Sequence, residues 1–368
     1  MYPPPIADSV SSDLAARLDD QFFTGDPSAY FRARLRALLA TGASWSPEDK
    51  LTAEVQRLLG PGAALLTDVD PRAQQMQVAV DAIALRHQIA EALLRLLHAI
   101  LHKESSPDAS LWVALTDTPN AMKDVIKEAK AALRDGPAEA YEQLGDLLLP
   151  RADVSDVLTE ADEIEDSRNI HIEWVNFAIK LMLDKDPDLN AAHNKFKHGM
   201  AIRPQDDLLL TLMPTGPSPD GTVEADVLNG PQTAALLDGV TAEFLARRGQ
   251  KHGLELTQMR TDPALAISEA GALMITHALL FHRAAVRHFA ERKVPDHRKI
   301  ATSPGCFVGG PHPGKMRADR PFALRFPLSL PLPPGASPKP QLFWTDGKRQ
   351  DLTIGKAQRV RVVDTSGG

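Results

Sequence analysis

The chain is poor in cysteine, in aromatic rings and in uncharged apolar runs. A single cysteine, Cys306, stands among 368 residues. That excludes an internal disulfide and any multi-cysteine zinc or iron–sulfur site. The opening MYPPPIADSVSSDL has neither a basic region nor an apolar core, so it reads as no secretory signal. No run approaches the roughly 18 to 20 uncharged apolar residues that span a bilayer. The apolar segment EALLRLLHAILH, for example, carries Arg and His at regular intervals. The expectation is a cytoplasmic protein with no membrane partner.

Several catalytic signatures are missing as well. GGPHPGK lacks the Ser or Thr of a P-loop, with Met316 in its place, and the chain contains no GxGxxG and no GxSxG. HExxH and ExxH are absent, which removes the zincin and di-iron signatures. No cofactor and no metal are expected. From Arg292 onward there is no Glu: six Lys and eight Arg face five Asp, a balance of +9 within a chain of net charge −7. The residues before Arg292 therefore carry −16. A basic end on an acidic body is one cue for polyanion binding, and pairing with the acidic body of the same molecule is the other reading.

What is present is helix punctuation. A capping residue followed by proline recurs at Ser46-Pro47, Asp70-Pro71, Thr118-Pro119, Asp186-Pro187 and Asp262-Pro263. The capping oxygen satisfies orphan N–H groups, and proline at the first helical position loses no hydrogen bond. Helices are expected near 8–22, 28–42, 47–59, 71–103, 119–134, 137–149, 154–184, 187–198, 231–249 and 263–292. Strand signals are fewer. DLLLTLMP and LELTQMR are short, bounded by turn residues, and could pair. FALRFPLSL, QLFWT, DLTI and RVRVV follow late in the chain, with TDGKR as a hairpin turn. They form either a small β appendix or an edge added to the two inner strands. The expected fold is mainly α: a multi-helix bundle with two internal short strands and a C-terminal β appendix. Its expected divisions are an N-terminal helical subdomain at 1–65, a helical core with two strands at 66–292, and a Gly/Pro-rich basic loop with the β appendix at 293–368.

The densest polar cluster is NAAHNKFKHG, residues 190–199. On a helix, Asn190, His193, Asn194, Lys197 and His198 share roughly a 140° arc, with Gly199 placed as a C-cap. His198 in the last turn favours a cation, so the cluster offers donors, a fixed charge and one titratable group toward an anion or phosphate. A solvated helix face is the plainer reading. A second stripe, His87, Glu91, Arg95, His98 and His102, lies within roughly an 80° arc of the helix at 71–103. His98 and His102, with Glu91 or His87, have metal-ligand spacing, but without the motifs above the stripe reads as an inter-helix hydrogen-bonded seam. In the helix at 154–184, Arg168 and His171 project on the apolar side, and Arg86 does so on its own helix. Buried arginines need partners, and Glu91 is one candidate. Cys306, with His312 nearby, reads as an inert loop cysteine, and His277, His282 and His288 as packing residues on a long apolar helix.

HNKFKHG together with ALRHQIAEALLRLLHAI resembles the HEPN superfamily (higher eukaryotes and prokaryotes nucleotide-binding), over residues of about 70–200. That resemblance implies a helical bundle binding RNA or nucleotide, with metal-independent endoribonuclease activity of the toxin or defence type, often assembled as a homodimer. In such a site His198 would be the general base, with Lys197 or Asn194 holding phosphate. The family's arginine would fall at 191–193, where this chain has Ala191, Ala192 and His193, so Lys195 or Lys197 would supply the charge. His193, Arg168, His171, Glu91 and Arg95 are the accompanying binding candidates. The alternative is a non-enzymatic helical interaction or scaffold protein whose polar stripes are seams.

Overall fold

A computed structural model describes residues 10–40, 71–106, 108–116, 124, 126–127, 138–149, 161–183, 202–205, 210–212, 222–224, 234–237, 241–247, 253–290, 311–316, 321–332, 334, 337–344, 348–352 and 361–363. The chain divides into two compact units, each drawn from three stretches. The first takes Met1–Trp45, Ala82–Lys185 and Ala264–Met316; the second takes Ser46–Asp81, Asp186–Pro263 and Arg317–Gly368.

The described helices are α1 (Ser12–Phe23), α2 (Pro27–Ala40), α3 (Pro71–Ser105), α4 (Leu111–Ala114), α5 (Ala138–Leu148), α6 (Ala161–Leu183), α7 (Pro263–Phe289) and α8 (Pro313–Met316). Most of the described chain is helical. Helices α3 and α7 begin at the prolines their capping pairs indicated. The same device opens α2, where the Asp26 carboxylate accepts the N–H groups of Ser28 (3.0 Å) and Ala29 (3.1 Å). Burial follows the helical period: α1 buries Ala15, Asp19 and Phe23, four residues apart.

In the first unit, α3 contributes Leu85, Ile89, Leu93 and Leu96 to the core, and α6 contributes Ile172, Trp174, Val175 and Ile179. Leu279 of α7 packs on Leu149, with Ile164 and Ile275 beside them. Phe22 and Phe23 meet Phe281 of α7 at ring separations of 5.3 and 5.5 Å. Among the described helices, α7 alone is long and apolar enough to cross a membrane, and 56% of its most apolar window is buried within the protein. It also carries Glu269, Thr276 and His277 in buried positions.

The second unit holds the strands: β1 (Ile202–Gln205), β2 (Leu210–Leu212), β3 (Thr222–Glu224), β4 (Ala234–Leu237), β5 (Thr241–Arg247), β6 (Leu254–Arg260), β7 (Pro321–Pro327), β8 (Gln341–Trp344), β9 (Arg349–Asp351) and β10 (Arg361–Val363). Six form an antiparallel sheet in the order β1-β5-β6-β7-β8-β9. β2 pairs antiparallel with β4, and β10 pairs parallel with β3. Along β6 burial alternates strictly, with Glu255, Thr257 and Met259 inside. Arg325 of β7 answers Glu255 at 3.6 Å and lies over the Phe343 ring at 4.6 Å.

Two expectations are corrected here. The helix expected at 231–249 is two strands, β4 and β5. Its Ala and Leu content suits a helix, but Ala242 and Phe244 alternate into the buried face, and seven residues of β5 pair with β6. Asp238-Gly239, a turn pair inside the expected helix, is the sequence signal for the break between them. The strands in DLLLTLMP and LELTQMR do not pair with each other; the first joins β4, and the second lies between β5 and β7. The late strands β7, β8 and β9 therefore extend the inner sheet rather than stand apart from it. The helices expected at 47–59 and 187–198 lie outside the described residues.

Candidate functional site

The first unit concentrates its buried polar groups along α7 and the helices beside it. Arg86 of α3 donates to Glu269 of α7 at 2.6 Å, with the two side chains 8% and 0% exposed. Two helical turns further along α7, Thr276 donates its hydroxyl proton to the Ala272 carbonyl at 3.1 Å. That leaves its oxygen to accept from His171 Nδ1, also at 3.1 Å, so the neutral ring of His171 carries its proton on Nδ1. Burial pushes the His171 pKa down to about 4. His277 Nδ1 lies 3.3 Å from the Ser28 hydroxyl, and the Phe31 ring stands edge-on at 5.9 Å. Burial lowers His277 to about 4 as well, against the opposing attraction of Asp26. Both imidazoles are therefore neutral at pH 7.

Arg168 of α6 is the most enclosed cation among the described residues. Its side chain is 2% exposed, yet its guanidinium reaches Glu142 (2.9 Å) and Asp146 (2.8 Å) on α5, and Glu165 of its own helix stands at 3.7 Å. It also donates to the carbonyls of Leu149 (3.2 Å) and Glu142 (3.4 Å). Gly145 makes this possible. A Cβ there would lie 2.6 Å from Arg168 Nη2, so the guanidinium occupies the space a side chain would take. Glu142 and Asp146, four residues apart, flank that gap on one face of α5.

The expected stripe on α3 divides by depth. His87 is fully buried and donates from Nδ1 to the Ile83 carbonyl at 3.0 Å. Glu91 and Arg95 form a half-buried i,i+4 pair at 2.8 Å, and the His98 and His102 rings stand 6.3 Å apart. Glu91 is thus not the partner of the buried arginines. Arg86 takes Glu269, and Arg168 takes the acids of α5. Among the described residues no group of three His, Cys, Asp or Glu side chains could hold a metal ion.

A buried carboxylate missed in the sequence is Asp19. It accepts from the Ser110 hydroxyl (2.8 Å), the Trp112 N–H (3.1 Å) and Lys103 Nζ (3.1 Å), joining α1, α3 and the start of α4. The signal was available: Asp19 shares a helical face with Ala15 and Phe23. His193, Asn194, Lys197, His198 and Cys306 lie outside the described residues. No family model, curated protein or solved structure matches the chain.

Proposed function

We propose that this chain is a non-enzymatic helical interaction protein of the cytoplasm, its helices forming a bundle held by internal polar seams. One observation carries the reading: the described candidates for ligand binding are engaged with the protein itself. Arg168 is enclosed by Glu142, Asp146 and Glu165; Arg95 pairs with Glu91; His171 meets Thr276. A guanidinium so satisfied would have to give up two close ion pairs to take a phosphate.

The second reading is a HEPN-like protein binding RNA or nucleotide, with His198 as general base and Lys197 and Asn194 holding phosphate. It is favoured by the HNKFKHG cluster and by the +9 balance from Arg292 onward. The test compares full-length wild type with His198→Ala for growth on overexpression, RNA binding and RNA cleavage. The interaction reading expects equal growth and no cleavage by either protein. Cleavage by wild type that is lost in His198→Ala would overturn it and establish the second reading.

A further inference from the structure

We infer that β9 is a docking edge for a second copy of this chain. Two β9 strands pair antiparallel about a two-fold axis at Gln350, and Arg349 of each protomer faces the partner's Asp351. The observations lie within the second unit, so the inference stands apart from the reading of the helical first unit.

β9 is the last strand of the six-stranded sheet, and its residues Arg349, Gln350 and Asp351 are all exposed. A sheet edge presents a row of backbone donors and acceptors, and natural edges are blunted in recognisable ways. The opposite edge, β1, carries Pro204, which has no N–H to offer. β9 contains no proline. Its register fixes which backbone groups face outward. The Trp344 N–H donates to the Lys348 carbonyl at 2.9 Å, and the Leu352 N–H donates to the Pro340 carbonyl at 2.7 Å. Hydrogen-bonded pairs alternate along an antiparallel ladder, so Gln350 and Leu342 form the bonded pair between those two. The backbone groups of Arg349 and Asp351, opposite Phe343 and Gln341, therefore point away from β8.

This pattern is self-complementary. Two-fold antiparallel pairing about Gln350 puts Arg349 opposite the partner's Asp351, and Asp351 opposite the partner's Arg349. Both are positions whose N–H and C=O point outward, so each pair can exchange both of its backbone hydrogen bonds. The side chains agree with the backbone. Arg349 and Asp351 lie on one face of the strand, and unlike charges directly opposite stabilise a pairing while like charges oppose it. A two-fold register centred on Arg349 or on Asp351 would set like charges against each other, and so would parallel in-register pairing. The Asp351 carboxylate is already positioned, since Gln341 donates to it at 2.9 Å and Ser337 at 2.8 Å. Those bonds, with the charges of Lys339 and Arg349 nearby, hold its pKa below the ordinary carboxylate range, so it is ionised at pH 7. Lys348 then comes opposite the partner's Leu352, whose half-buried side chain its methylene stem can cover. So short a strand makes a small interface, and the dimer is a weak one that forms at high protein concentration.

The test is sedimentation equilibrium of the full-length protein over a concentration series. The wild type is expected to approach twice the chain mass at the highest concentrations. Arg349→Asp and Asp351→Arg each set like charges across the edge, and each is expected to weaken self-association at least about tenfold. Mixed together, the two variants are expected to associate with each other about as well as wild type does with itself, because every charge on one edge then meets its opposite on the other. Circular dichroism and melting establish that the variants fold. Amide hydrogen exchange on the wild type gives a second readout that needs no variant. The Asp351 N–H should gain protection as concentration rises, while the Gln350 N–H, bonded to β8, is protected throughout. A wild type that stays monomeric at millimolar concentration overturns the proposal. So does self-association that Arg349→Asp leaves unchanged, an Asp351 N–H whose exchange ignores concentration, or folded variants that do not combine on mixing. None of these outcomes bears on the RNA assay with His198→Ala, so the two proposals fail separately.

Discussion

Gly145→Ala is expected to destabilise the protein, although alanine is the better helix former. In an unconstrained helix interior the change would gain about 1 kcal/mol. At this position the new Cβ would meet Arg168 Nη2 at 2.6 Å, Cζ at 3.1 Å and Nε at 3.2 Å. Relief requires the guanidinium to retreat by roughly 0.8 Å in a close-packed site. It cannot do so freely, because Glu142 and Asp146 hold it at 2.9 and 2.8 Å and the Leu149 carbonyl at 3.2 Å. Overpacking costs about 1–3 kcal/mol. The stretched ion pairs add less than a fully buried pair would, since the two carboxylates are about half exposed. The net expectation is a loss of about 1–2 kcal/mol, or a fall in melting temperature of about 2 to 8 °C. Urea unfolding followed by circular dichroism measures it. The same substitution on an Arg168→Met background should recover the helix-former gain, because the obstacle is gone. A raised midpoint for Gly145→Ala in the wild-type background would refute the account of the Arg168 site.

Stability should also fall with acid through the two buried histidines. Their folded-state pKa values of about 4 lie below the unfolded 6.5, so the unfolded chain takes up protons first. The contribution is complete above pH 6.5 and is lost as pH falls from 6.5 to 4, on the order of 3 kcal/mol for each ring. Urea midpoints measured between pH 7.5 and 4.5 should drop steeply, and a His171→Gln/His277→Gln double variant should flatten that slope; an unchanged slope would contradict the assignment. For the pair in α3 and α7, Glu269→Leu should cost about 3–5 kcal/mol by leaving Arg86 buried without its carboxylate, whereas Arg86→Met/Glu269→Leu should recover most of it. Additive costs in that double-mutant cycle would mean that the two side chains do not act as a pair.

The need for these pairs is legible in the sequence but their partners are not, and the reason is geometric. Helical periodicity places Arg86 and Arg168 on apolar faces, and a buried guanidinium needs a carboxylate. Choosing the carboxylate requires knowing which helices are neighbours, which periodicity along one helix does not contain. Glu91 is the wrong choice because Arg95, one turn along the same helix, already claims it. Local clues do point the right way. Glu269 is the only acid in the 27 residues of α7, and a lone acid in an apolar helix calls for a buried cation. Glu142, Gly145 and Asp146 put two acids around a missing side chain, which is a socket for a long cation. The strand β5 misleads for the opposite reason. Its residues have helix-forming composition, and only the neighbours β1 and β6 make the extended state the one that buries Ala242 and Phe244. Periodicity therefore identifies a surface that must be covered, while the covering element is decided by contacts distant in sequence.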